Sequence, residues 1–296
     1  MFNFTKNLPY FFVLPALLVI LALAALGVWG LKAGIDLAGG SQLQVAFPDG
    51  APTVAQIQSA LAPLNLGPVQ IQPAGTDGYL LSQRSLTNDE KDALEAAISQ
   101  NRVMTEVQYT SIGPSIGQET LDKGLLALLL VVVCIIAFIA FAFRKVSEPV
   151  ASWKYGVIAV IALLFDVLIP VGVFSALGHF TGAEVDSLFI VALLSILGIS
   201  INDKIVVFDP VGENLGLGRR EPFALTVEKS IRQTLARSIN TSMTVVIVLL
   251  SLYFLGPATT QTFALTLAVG MVIGTYSSIF LASPLLVAWE RFQNKK

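Results

Sequence analysis

The run LLALLLVVVCIIAFIAFAF at residues 125–143 carries no charged side chain. At ~1.5 Å rise per helical residue, about twenty such residues cross the ~30 Å hydrocarbon layer of a bilayer. Residues 8–31, 153–177, 188–208, 244–255 and 263–289 are likewise predominantly apolar, so the pattern predicts six membrane-spanning helices. Composition agrees: 54% of residues are hydrophobic and 13% charged, too apolar for a soluble domain. The first run is too long for a signal-peptide core and has no convincing small-residue cleavage site, so it is expected to be a retained helix. Pro9 and Pro15 stand near its start, where a first turn tolerates them.

The fourth run breaks the apolar rule. Residues 188–214 read LFIVALLSILGISINDKIVVFDPVGEN, with Ser200, Asn202, Asp203 and Lys204 set into a membrane span. A charged side chain at the centre of a bilayer costs roughly 2.5–3.5 kcal/mol on insertion scales, so it persists mainly where it has a partner or a task. Asp203 is therefore the first functional candidate. Ser200 lies one turn earlier on the same face and Asn202 flanks it, which makes a polar cluster. The alternative is a near-interface carboxylate reaching for water, with Lys204 snorkelling the same way; Lys204 is expected to reach the interface in either case. Asp166, in ALLFDVLIPVG, lies near the middle of the third span and suits either an interhelix hydrogen bond or a transport role. Arg237, at the start of the fifth span, reads on composition alone as a positively charged anchor.

Between the first and second spans, residues 41–113 are polar enough to fold in water. QLQVAF alternates as a strand, and TVAQIQSALAPL has helical spacing with Thr53 as N-cap. VQIQPAG and GYLLSQRS are two strands around a glycine turn; TNDEKDALEAAISQ is a helix opened by a Thr87/Glu90 capping box; VMTEVQYTSI is the last strand. The order β-α-β-β-α-β predicts a small ferredoxin-like α+β insert. It has no Cys, no His and no phosphate-binding glycine loop, so the expected role is binding or mechanical rather than enzymatic. Just before it, GIDLAGGS at residues 34–41 pairs Gly39 and Gly40 for a tight turn with positive φ, in which Asp36 is placed to accept from backbone amides. The predicted organisation is a first helix at 1–33, the α+β unit at 34–120, and five further helices at 121–296 with a charged loop at about 209–240. Within that loop, Phe223, Val227, Ile231, Leu235 and Ile239 are spaced for an amphipathic helix running into the fifth span.

A net charge of −2 offers no basic field for nucleic acid. The single Cys134, inside an apolar run, is expected to be a buried hydrophobe. His179, the only histidine, is expected in a short solvated loop and is a poor metal ligand alone, so neither metal nor cofactor is expected. Lys6, the 144–154 loop, the 219–237 segment and the 291–296 tail collect the basic residues on one side, which the positive-inside rule makes cytoplasmic together with both termini. The α+β unit then lies outside.

SINDKIVVFDPVGENL resembles the fourth-helix signature of the SecF family of bacterial protein-export membrane proteins, S-x-N-D-x-I-V-V-F-D-R-I-R-E-N. Lys204 stands where a small hydroxyl is usual, and Pro210 and Gly212 replace two basic residues. GIDLAGG is similar to the family's G-x-D-F-x-G-G after its first helix, so Gly34, Asp36, Gly39 and Gly40 are carried as its structural motif. FDVLI is similar to H-D-V-L-I, with Phe165 in place of the histidine. QTLARSINTSMT is similar to Q-T-L-x-R-T-I-N-T-S-x-T, and the resemblance makes Arg237 a partner of Asp203 in proton-coupled function. It implies an RND-like polytopic fold in a bacterial inner membrane and a role in the Sec pathway beside SecD and the SecYEG channel. It further implies a translocating unfolded polypeptide as substrate, lipid as surroundings and protons as the coupling ion, with Asp203, Arg237, Asn202, Ser200 and Asp166 as the relay. The rival class is an RND-type transporter subunit for small solutes or lipids, which is expected to carry a much larger exported domain.

Overall fold

The computed structural model describes residues 8–75, 77–99, 102–142, 152–216 and 221–294. Expectations placed on Lys6, Arg144, Lys145, Arg219 and Lys296 lie outside those residues. Among them, six helices are long and apolar enough to cross a membrane.

The chain enters with α1 (Tyr10–Trp29), makes the single helical turn α2 (Ile35–Ala38), and then builds a sheet. Strands β1 (Gly40–Ala46), β2 (Gln70–Pro73), β3 (Gly78–Gln83) and β4 (Thr105–Ile112) are interleaved with α3 (Val54–Leu61) and α4 (Asn88–Ser99). The strand order is β2-β3-β1-β4 and every neighbouring pair is antiparallel. Both helices start where the sequence places them. Thr53 Oγ1 accepts from Gln56 N at 3.3 Å while Gln56 Oε1 accepts from Thr53 N at 2.9 Å. Thr87 and Glu90 repeat the arrangement at 3.3 and 2.9 Å. Alternate residues Leu43, Val45 and Leu81 turn toward the helices and close a core with Ile57, Leu94 and Ile98. The other face carries Gln42, Gln44, Gln70, Gln72 and Gln108, which follows from the same period of two and from the register Gln42↔Ser82↔Gln70 and Gln44↔Gln108.

The chain then returns through α5 (Pro114–Ala142), α6 (Ser152–Phe180), α7 (Ser187–Gly216), α8 (Phe223–Leu255), α9 (Ala258–Ser277), a π-helical turn (Ser278–Ala282) and α10 (Ser283–Asn294). The expected amphipathic segment and the fifth span are one continuous helix, α8. Its apolar residues Phe223, Val227 and Ile231 are buried as expected, but Ile239 is exposed. The buried stripe there continues instead through Ser230, Thr234, Ser238 and Ser242, spaced four apart.

Close approaches without a side chain set the bundle. A Cβ on Gly172 would lie 2.5 Å from that of Ala22, which brings α6 onto α1. A Cβ on Gly270 would overlap Ile196, and one on Gly274 would lie 3.0 Å from Ser200 Oγ, so α9 meets α7 through a G-x-x-x-G face. Cys134 is exposed, which corrects the expectation of burial. An apolar run guarantees a membrane setting but not which side of the helix meets protein, and Cys134 is on an outward face of α5. His179 ends α6 rather than sitting in a loop, and its ring stacks on Trp29 at 5.0 Å between centroids.

Candidate functional site

Ser200 and Lys204 are one turn apart on α7 and both are buried. Lys204 Nζ lies 2.5 Å from Asp166 Oδ2 on α6, 2.6 Å from Ser200 Oγ and 3.2 Å from Ser277 Oγ on α9. An ammonium has three donors, and all three are used. Ser200 Oγ itself donates to Asp166 Oδ2, and Ser277 Oγ donates to Gly274 O at 3.0 Å, which closes a network across three helices. Lys204 and Asp166 side chains are 0% exposed. The expectation that Lys204 reaches the interface is therefore overturned. Snorkelling is the answer when no counter-charge exists at depth, and here Asp166 supplies one on the facing helix.

Asp203 is turned to another sector of α7. Its carboxyl faces the hydroxyls of Ser238 on α8 and Ser278 at the start of the π-helical turn. Its Oδ2 is closed off from solvent with no hydrogen-bond partner, and Ser238 Oγ is in the same condition. A cavity of about 40 Å³ adjoins Asp203, lined also by Asn202, Thr241, Ser242, Gly274 and Thr275. That is space for at least one water beside a membrane-depth carboxylate. Ser242 and Thr275 hydrogen-bond across its wall. Asn202 is exposed and reaches the cluster only as part of this lining.

Arg237 is exposed and forms no ion pair with Asp203, so the pairing implied by resemblance is absent in this conformation. Successive helical residues point about 100° apart, and it is Ser238 that α8 turns toward Asp203. The structure thus brings Asp166, Ser200 and Lys204 into one network and sets Asp203 beside it. The residues that sequence reasoning missed are Lys204 as an internal counter-charge, with Ser277 and Ser238. The four-residue spacing of Ser200 and Lys204 was a signal for the first of them.

A second polar set lies at the opposite end of α7. Gly39 and Gly40 have φ of +78° and +143°. A Cβ on Gly39 would lie 2.6 Å from Pro114 Cα, and one on Gly40 2.5 Å from Gln83 O, so the turn is packed between the start of α5 and the end of β3. Asp36 bonds outside its own turn, contrary to expectation: its Oδ2 accepts from Ser187 N at 3.2 Å and Ser187 Oγ at 2.5 Å. Asp186 caps the same helix, its Oδ1 accepting from Phe189 N at 2.8 Å. Burial, with the nearby Asp36 charge adding to it, pushes the Asp186 carboxyl up to about 6. Gly34 N donates to Val185 O at 2.8 Å, and Gln72 Nε2 of β2 donates to Gly182 O at 2.8 Å, so motif and sheet are both docked on the α6–α7 loop.

Fold and site together define a multi-pass helical membrane protein with an RND-like bundle and paired charges at membrane depth. The family model described as "Protein export membrane protein SecD/SecF, C-terminal" matches residues 93–292. The protein translocase subunit SecF of Thermobaculum terrenum is 41% identical over 95% of this chain and 91% of its own length. That of Anaerolinea thermophila is 36% identical over 98% and 94%. The crystal structure of SecDF, a translocon-associated membrane protein from Thermus thermophilus, superimposes with a TM-score of 0.85 at 32% identity, over 98% of this chain and 39% of that one. A super-membrane-facing form of SecDF gives 0.71. The chain belongs to the SecD/SecF family, among its SecF subunits, and is a subunit for Sec protein translocation.

Proposed function

We propose that this chain couples proton entry through its membrane helices to late stages of polypeptide export through a SecYEG-type channel, together with SecD. The observation that carries this reading is the charge balance at α6–α7. Lys204 neutralises Asp166, Arg237 is turned away, and the buried Oδ2 of Asp203 has no partner. With both carboxylates ionised, the cluster holds one uncompensated negative charge, which a proton on Asp203 removes. The membrane potential supplies about 2.3 kcal/mol per charge per 100 mV, enough to bias a movement whose two states differ by a few kcal/mol. In this reading Asp203 is the carrier, the hydroxyls of Ser238 and Ser278 face it, and the pair Asp166–Lys204 is the fixed post against which α7 works.

The α/β unit is read as a ferredoxin-like domain on the exported face of the inner membrane, with both termini cytoplasmic, on the strength of its β-α-β-β-α-β order and the placement of Lys and Arg. The docked contacts of Gln72 and Asp36 on the α6–α7 loop and the start of α7 join it to the helix that carries Asp203. A SecD partner accords with the Thermus relative, a SecDF of which this chain matches 38%.

Cysteine labelling from outside the cell tests the arrangement, in a Cys134→Ser background because Cys134 is exposed. A Ser85→Cys chain is expected to label in intact cells and a Ser147→Cys chain only after lysis. The reverse pattern overturns the orientation and the coupling with it. Copurification from native membranes is expected to bring down SecD and the channel rather than envelope efflux components.

A further inference from the structure

We infer that the glutamine face of the sheet, with the outer ends of the helices beneath it, forms a binding cleft for an extended stretch of polypeptide backbone. The inference rests on the reading of this chain as a Sec subunit.

The cleft has a volume of about 480 Å³, within the range of ligand-binding clefts. Its upper wall is the sheet face that carries Gln42, Gln72, Gln108 and Thr110, and its lower wall includes Glu184 and Asp186. Among the described residues no Lys or Arg lines it, so phosphate, nucleic acid and anionic headgroups have no counter-charge there. Burial raises the Glu184 and Asp186 carboxyls, which reduces their negative charge toward acidic pH. The carboxylates Asp36, Glu184 and Asp186 all lie on the helix side of the cleft, and the sheet side is a wall of carboxamides, each offering a donor and an acceptor without charge. That is the hydrogen-bonding character of a peptide group, which presents one N–H and one C=O per residue.

The spacing fits as well. Residues two apart on a strand project on the same face ~6.6–6.8 Å apart, and an extended chain laid along the strands presents its own carbonyls with that repeat. Gln108 and Thr110 on β4 stand opposite Gln44 and Gln42 on β1 in this period. Among the described residues, Gln42 and Gln108 donate to neighbouring hydroxyls on the sheet, Ser82 Oγ at 3.2 Å and Thr110 Oγ1 at 3.4 Å, and neither bonds to the helix bundle. They are free to re-pair with an incoming chain. Recognition of this kind reads backbone and not side chains, as a protein that handles many different exported sequences requires.

The test uses the full chain in inner-membrane vesicles with its partners, and a polypeptide arrested during export. Leu80, on the cleft-lining face of β3, is replaced by p-benzoyl-phenylalanine; Asp92, exposed on α4 on the opposite side of the sheet, receives the same probe as control. Position 80 is expected to cross-link to the arrested polypeptide, for arrested segments of different sequence and charge, and position 92 is not. Gln42→Leu combined with Gln108→Leu is expected to lower the yield at position 80 about fivefold or more, by the loss of two hydrogen bonds. Chain-dependent stimulation of export is measured in the same vesicles. Normal stimulation with no cross-link at position 80, a cross-link to SecD in its place, or equal yields at 80 and 92 overturns the cleft and leaves the export reading standing. Loss of chain-dependent stimulation overturns both.

Discussion

Lys204 and Asp166 form an ion pair of 2.5 Å between α7 and α6, with both side chains shut off from solvent. Breaking a buried pair by removing one partner typically costs 3–5 kcal/mol, because a charge is left uncompensated, whereas replacing both with apolar groups is often neutral. Lys204→Met is therefore expected to destabilise the protein by about 3–5 kcal/mol, and Lys204→Met with Asp166→Leu to recover most of the loss. Thermal melting in detergent of the two single variants and the double variant measures the coupling; additive losses contradict the pairing.

Gly40 needs its missing side chain twice over, for φ of +143° and for the 2.5 Å that a Cβ would leave to Gln83 O. Gly40→Val is expected to insert in the membrane normally and to lose export function. Protease resistance of the α/β unit is expected to fall in the same variant. An unchanged protease pattern with normal export reduces the turn to a linker.

These two sites mark how far the sequence could be read. Gly39–Gly40, the caps at Thr53 and Thr87 and the six spans follow from local rules of turn conformation, capping and hydropathy, and each is legible without a partner in view. Lys204 and Cys134 were misplaced because the deciding fact was what stood across from them. A helical wheel gives the angle of Lys204 but not that Asp166, thirty-eight residues earlier, is there to meet it. One position separates Arg237, which is exposed, from Ser238, which is buried facing Asp203, and no local rule distinguishes the two rotations of α8. The glutamine face of the sheet was present in the alternation of QLQ and QIQ, yet its meaning depends on the helix ends beneath it.

Asp186 carries a pH dependence. Its ordinary value of 3.8 holds in the unfolded chain and its folded value is about 6, so between those values the folded protein keeps a proton that the unfolded chain has lost. The stabilising contribution is full below pH ~4, falls as pH rises to about 6 and is then gone. Relative to Asp186→Asn, the wild type is expected to lose melting temperature steadily from pH 4 to 6.5 in detergent. A constant difference between the two across that range contradicts the shifted carboxyl.

Asp203 carries the central claim, since it is the carboxylate that the Lys204 ammonium does not serve. Asp203→Asn keeps shape and hydrogen bonding and cannot ionise, so the variant is expected to fold, insert and bind its partners as the wild type does. The direct measurement is completion of export in inner-membrane vesicles with and without an imposed proton gradient. Wild-type vesicles are expected to respond to the gradient and Asp203→Asn vesicles to run at the ungradiented rate under both conditions; equal stimulation of the two contradicts proton coupling through Asp203.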